Sequence, residues 1–169
     1  MSHESMRRTI ALVHADPVVR FAGEELARYL RLISRTPVAP CVRDADEPSA
    51  DGITLGRFAD LGVADEEKGD PAWDDAIRID VRKGTGIIAG RNSRSVLLGV
   101  YRFLYALGCR WVRPGAEGEY LPRVDLDAAA VSVQHEASLR HRAVVIEGAV
   151  SLENVLEMVD WAPKVGFSG

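Results

Sequence analysis

The chain has 169 residues, 47% hydrophobic and 27% charged, with 25 Asp plus Glu against 21 Lys plus Arg for a net charge of −4. This is the composition of a soluble globular domain long enough to build a core without staples, and no apolar run approaches the ~20 residues of a membrane-spanning helix. A negative balance with no Lys/Arg block of five excludes nucleic acid and anionic membrane surfaces as expected partners.

Cys41 and Cys109 are too few for a disulfide framework and are expected as reduced thiols. The first residues lead directly into a strand-like run with no apolar signal region, which predicts a cytoplasmic chain. In chain order, Thr9 to His14 reads as a buried strand, and Asp16-Pro17 supplies an N-cap followed by proline at the first helical position. Val18, Ala22, Leu26, Tyr29, Leu30 and Ile33 then recur at helical steps, with Glu24 and Arg28 on the opposite side. Thr36-Pro37 ends that helix, and Val38–Val42 and Gly52–Gly56 are short strand candidates.

Eleven acidic residues against two basic ones lie between Asp44 and Asp75, so this segment carries −9 and is expected as a solvated surface loop. Its spacing lacks the pattern of a calcium loop. Ala76 to Val81 alternates apolar with polar, Lys83-Gly84-Thr85-Gly86 is turn chemistry, and Ile87 to Ala89 continues apolar, which predicts a β-hairpin. A second helix follows from Asn92-Ser93 to Leu107, closed by Gly108. Gly99 in its middle suggests close packing on a sheet. Leu126 to Val133 is alanine-rich with little period and is expected as a boundary. Beyond it, Ala143-Val144-Val145-Ile146 reads as a strand, and Ser151 caps a third helix with Leu152, Val155, Leu156 and Val159 on one face.

No cofactor or metal is expected. Gly84-Thr85-Gly86-Ile87-Ile88-Ala89 matches a dinucleotide-binding pattern but precedes a strand rather than a helix. His3, His14, His135 and His141 are dispersed, with no metal-ligand spacing. At the start of the second helix Arg91, Asn92, Ser93 and Arg94 offer donors and a positive dipole end for a carboxylate or phosphate; the alternative is N-capping with two exposed arginines. Trp111 is a candidate for stacking on a sugar ring, but core or interface packing beside the apolar helix is the favoured reading for a lone tryptophan there.

The run Arg94 to Pro114, with Gly99-Val100-Tyr101-Arg102-Phe103-Leu104 and Leu107-Gly108-Cys109-Arg110-Trp111-Val112-Arg113-Pro114, resembles a known signature. It is similar to that of the N-terminal α/β domains of family 67 α-glucuronidases and related glycoside-hydrolase-like proteins. Residues Thr9 to Pro122 fit that domain in order. The resemblance implies a fold also found ahead of the barrel in family 20 β-hexosaminidases, with the catalytic carboxylates on a following (β/α)₈ barrel. Leu139-Arg140-His141-Arg142-Ala143 resembles the start of that barrel, with Leu139 at an aromatic position and Ala143 at a glycine position. It implies that Arg142 meets substrate hydroxyls, and Glu147 falls at the end of the first strand, the face on which barrels build sites.

The resulting expectation is an α/β (α+β) fold: a mixed β-sheet with two packed helices over residues 9–127, after a flexible 1–8. A linker over 128–141 would lead to a single βα unit over 142–169. The function expected is that of a non-catalytic accessory domain of a glycoside hydrolase, with carbohydrate met through the barrel and Arg110 and Trp111 facing it. The alternatives are a module binding an acidic sugar near Arg91, Asn92 and Arg94, or a self-associating module joined through the terminal βα unit.

Overall fold

The computed structural model describes residues 6–65, 69–146 and 151–168. A six-stranded mixed sheet forms the centre, built from β1 (Met6–Val13), β2 (Val38–Ala45), β3 (Gly52–Arg57), β4 (Ala76–Arg82), β5 (Thr85–Gly90) and β8 (Ala130–Glu136), in the order β2-β1-β3-β5-β4-β8. β2, β1, β3 and β5 run parallel, whereas β4 pairs antiparallel with both β5 and β8. Parallel neighbours on both sides make β1 a central strand, and Ile10, Ala11, Leu12 and Val13 are accordingly buried on both faces.

The first helix, α1 (Pro17–Ile33), starts where its cap predicts: an Asp16 carboxylate oxygen accepts from the amides of Val18 and Val19 at 2.9 and 3.0 Å. Its buried stripe begins at Val19 rather than at the expected Val18, which is 39% exposed. Glu24 and Arg28 lie on the exposed side as expected, while Glu25 falls on the buried stripe and accepts a hydrogen bond from Arg28. The hairpin expectation holds. Lys83 and Gly84 occupy left-handed backbone, φ 53° and 75°, as the favoured two-residue turn between right-twisted strands requires.

The β5 strand leads straight into α3 (Ser93–Ala106), which packs beside α1 on one face of the sheet. Gly90 permits this, because a Cβ there would lie 2.4 Å from the Val96 amide nitrogen. Gly99 in mid-helix approaches the sheet as expected, its Cβ position 3.0 Å from Cγ2 of Ile88. A short helix, α2 (Phe58–Leu61), belongs to a second cluster in which Phe58 packs with Ala76 and Ala89. β3 falls at the expected Gly52–Gly56, whereas α2 interrupts the acidic segment expected as a solvated loop, and Asp75 at the end of that segment is buried.

Two further boundaries differ from expectation. Strand β1 begins at Met6, inside the stretch expected to be flexible, and β8 lies inside the expected linker. The alternation Val131, Val133, His135 marks that strand, and the preceding alanines obscure it. Pairing with β4 over the whole of β8 makes it the edge of the sheet. A small ribbon, β6 (Arg110–Trp111) with β7 (Glu119–Tyr120), follows α3.

The last helix, α4 (Leu152–Lys164), forms with Ser151 as its cap, the Ser151 Oγ accepting from the Asn154 amide. Residues 142–146 do not form the expected strand and carry no regular secondary structure, with Val145 86% exposed. A strand needs a neighbour for its backbone groups, and here a single backbone bond, from the Ser168 amide to the Arg142 carbonyl at 2.7 Å, joins the two ends of the unit. Glu147 lies outside the described residues.

Candidate functional site

Two polar networks tie α4 and the chain before it to the sheet domain. Asp75, just ahead of β4 and 4% exposed, anchors the first. Its carboxylate accepts from Arg94 Nε at 3.0 Å, Ser95 Oγ at 2.9 Å and Arg142 Nη2 at 2.6 Å. Burial raises its pKa, but the hydrogen bonds from Arg94, Arg142 and Ser95 outweigh this and hold the carboxyl below its ordinary 3.8. Arg142 also donates to the carbonyls of Leu139 and Gly166, so one guanidinium joins the domain, the connecting segment and the C-terminal end of α4.

The second network fills the junction of α1, α3, β7 and α4. Tyr29 Oη donates to Glu119 at 2.6 Å, and Lys164 Nζ donates to the same oxygen at 3.1 Å and to Asp160 at 2.6 Å. Trp111 Nε1 donates to Tyr29 Oη at 3.1 Å, and the Trp111 ring meets Tyr29 and Tyr101 edge-on at 5.4 and 5.6 Å. Tyr101 Oη donates to the buried Glu25 at 2.8 Å. Trp161 Nε1 of α4 reaches the Trp111 carbonyl at 2.8 Å. Burial lowers the Lys164 pKa, but Asp160, Tyr29 and Glu119 more than reverse this and keep the ammonium charged well above 10.5. Burial together with the bond to Glu119 pushes Tyr29 up to about 12.

Between these networks lies a cleft of about 630 Å³, bounded by the outer face of α3, the end of β8 and the C-terminal turn of α4. Ile77, Leu98, Val112, Pro163 and Val165 make much of its wall, and Tyr105, Arg102 and Arg110 stand on the α3 side. The Tyr105 ring carries both guanidiniums, with Arg110 3.8 Å and Arg102 5.5 Å from its centroid.

The residues singled out from the sequence fall into three places. Arg142 and Arg94 meet on Asp75. Arg110 and Trp111 sit at the junction with α4, but the Trp111 ring is 4% exposed and packs in the core instead of offering a face to a sugar. Arg91, expected as an exposed arginine, is buried: it binds Asp65 through two nitrogens at 2.7 Å and Glu136 at 2.6 Å. Asn92 caps α3, accepting from the Ser95 amide at 2.8 Å. The donors expected to hold an external anion there face the chain's own carboxylates instead. Glu25, Tyr29, Asp75, Tyr101, Glu119 and Lys164 were not anticipated in the networks. The signal for Glu25 was available, since it stands three residues after Ala22 and four before Tyr29 on the apolar stripe.

Among the described residues no group of three or more His, Cys, Asp or Glu side chains is arranged to hold a metal ion, and no helix is long and apolar enough to cross a membrane. No family model matches the sequence, and no curated protein matches it. Among solved structures, a family GH115 4-O-methyl-α-glucuronidase with specificity for decorated arabinogalactans is similar to 62% of this chain, with 17% identity and a TM-score of 0.42. The match spans 14% of that protein's length.

Proposed function

We propose that the chain acts as a non-catalytic accessory domain of a glycoside-hydrolase-like protein, holding the first elements of a (β/α) layer against an α/β sheet domain. The observation that carries this reading is the double clamp on α4: Arg142 on Asp75 at one side, and Lys164 and Trp161 on Glu119 and Trp111 at the other. The clamped helix leaves Leu152, Leu156 and Val159 exposed at 74, 60 and 62%. Their i, i+4, i+7 spacing makes a single apolar stripe, the kind a helix lays on a sheet.

The chemistry of the clamp favours a supporting role. Glycoside hydrolysis generally needs two carboxylates at a defined separation across a substrate, whereas Asp75, Glu25 and Glu119 each accept from side chains of this chain. Arg142 is a positioning residue in this reading, spending its donors on Asp75 and two carbonyls.

The test is to read the gene beyond the codon for Gly169 and to assay the 169-residue chain on aryl glucuronides and aryl hexosaminides. A continuing frame that encodes alternating strands and helices, with no hydrolysis by the chain alone, is the expected result. A stop codon there, or turnover by the chain itself, would overturn it. The exposed stripe of α4 favours a second reading, pairing with another copy of the chain, for which sedimentation would show a concentration-dependent dimer.

A further inference from the structure

We propose that the cleft between α3 and the end of α4 binds a small amphipathic carboxylate, with Arg102 and Arg110 holding the anionic group and the apolar wall holding the rest. The proposal stands apart from the accessory role above. A volume of about 630 Å³ lies within the range of small-molecule sites, which are mostly apolar with a few convergent polar groups.

The charges of the cleft are unequally compensated. At one end Asp75 is paired with both Arg94 and Arg142, and on the α4 side Lys164 is paired with both Glu119 and Asp160. Arg102 and Arg110, by contrast, have no carboxylate within ion-pair distance among the described residues. Arg110 donates to the carbonyls of Tyr105 and Cys109, and both cations lie over the Tyr105 ring. That ring gathers two like charges at the mouth without cancelling them. A carboxylate entering there gains charge-assisted hydrogen bonds from planar donors suited to it.

The wall decides what the anion is attached to. Ile77, Leu98, Val112 and Val165 offer no side-chain hydrogen-bond partner, and the polar lining residues Asp75, Tyr101 and Lys164 are bonded within the chain, so a polyhydroxylated ligand would bury hydroxyls with few replacements for their water. An aromatic or branched hydrocarbon body gains from the same surface. The ligand class is therefore a carboxylate on a flat or branched apolar frame rather than a free sugar acid.

Binding of 3-phenylpropionate to the full chain, followed by calorimetry and by tryptophan fluorescence at low ionic strength, tests this against 3-phenylpropan-1-ol and inorganic phosphate. Saturable binding of the acid is expected, weakened about tenfold or more for the alcohol and for phosphate, a difference of about 1.4 kcal/mol. Arg102→Gln, which removes an exposed side chain, should weaken the acid by a similar factor while leaving the circular dichroism spectrum unchanged. Val165→Glu should abolish binding from the opposite wall without touching either arginine. Equal affinity for acid and alcohol, equal affinity for phosphate, an unaltered Arg102→Gln, or no saturable signal at millimolar ligand would each overturn the proposal.

Discussion

Asp75 is a carboxylate with almost no access to water, and four side chains from two distant parts of the sequence, Asn92, Arg94 and Ser95 in one and Arg142 in the other, complete its solvation. Removing charge from one member of such a group strands the others, which costs several kcal/mol in buried ion pairs. Asp75→Asn should therefore destabilise the chain by about 3 kcal/mol in urea unfolding, with the loss shared by α4 through Arg142. The pH dependence has a definite sign. Because the folded pKa of Asp75 lies below 3.8, its contribution is complete above that value and disappears as pH falls through the lower folded value. Lys164, raised above 10.5, contributes fully below that pH and loses its contribution as pH rises beyond it. With the exposed Trp73, which lies against His141, replaced by Phe, tryptophan fluorescence reporting the Trp161–Trp111 contact should hold constant between about pH 4 and pH 10 and change outside that window.

At the scale of elements, the best-read segments were those whose local signals agree. The α1 helix has its cap, its proline and its stripe, and the β4–β5 hairpin has alternation and turn residues with positive φ; each needed no partner to be legible. The two glycines of the β5–α3 passage differ in what they permit. At Gly90 an added Cβ meets backbone, the Val96 nitrogen at 2.4 Å, whereas at Gly99 it meets a side-chain methyl, Cγ2 of Ile88, at 3.0 Å. Gly90→Ala should therefore cost about 1–3 kcal/mol by thermal denaturation. Gly99→Ala should cost less, since about 1 kcal/mol of gained helix propensity offsets its crowding. Strand β8 was missed because its pairing partner, β4, lies some fifty residues earlier, and its run of alanines hides a short alternation. The segment 142–146 is the converse: four consecutive apolar residues look like a strand, but among the described residues no neighbouring strand pairs with them.

For the whole molecule, α4 is the separable part. One side of it is held by the two networks and the other by water, so its opening should require less free energy than that of α1 and α3, whose apolar faces lie in the main core. Hydrogen exchange should show residues 152–164 exchanging faster than 17–33 and 93–106. Arg142→Met, which breaks the link to Asp75 and to Gly166, should increase that difference about tenfold or more while leaving α1 protection unchanged, as expected when a local tie of about 1.4 kcal/mol or more is lost.

The sequence by itself determined where α1, α3 and α4 begin, because caps and stripes act within a few residues. It also determined the hairpin and the approach of Gly99 to the sheet. The candidate site was only partly legible for a physical reason: a buried charge is defined by what surrounds it. Arg91 and Arg94 looked like free donors until the fold brought Asp65, Glu136 and Asp75 to them. Asp75 was one of eleven acids in a run whose composition reads as a solvated loop. Trp111 was legible as a residue of the α4 junction but not as a member of the Tyr29–Tyr101 aromatic cluster. Tertiary structure alone decided which arginines, among the described residues, stand without a carboxylate partner, and so where the chain offers positive charge beside an apolar wall.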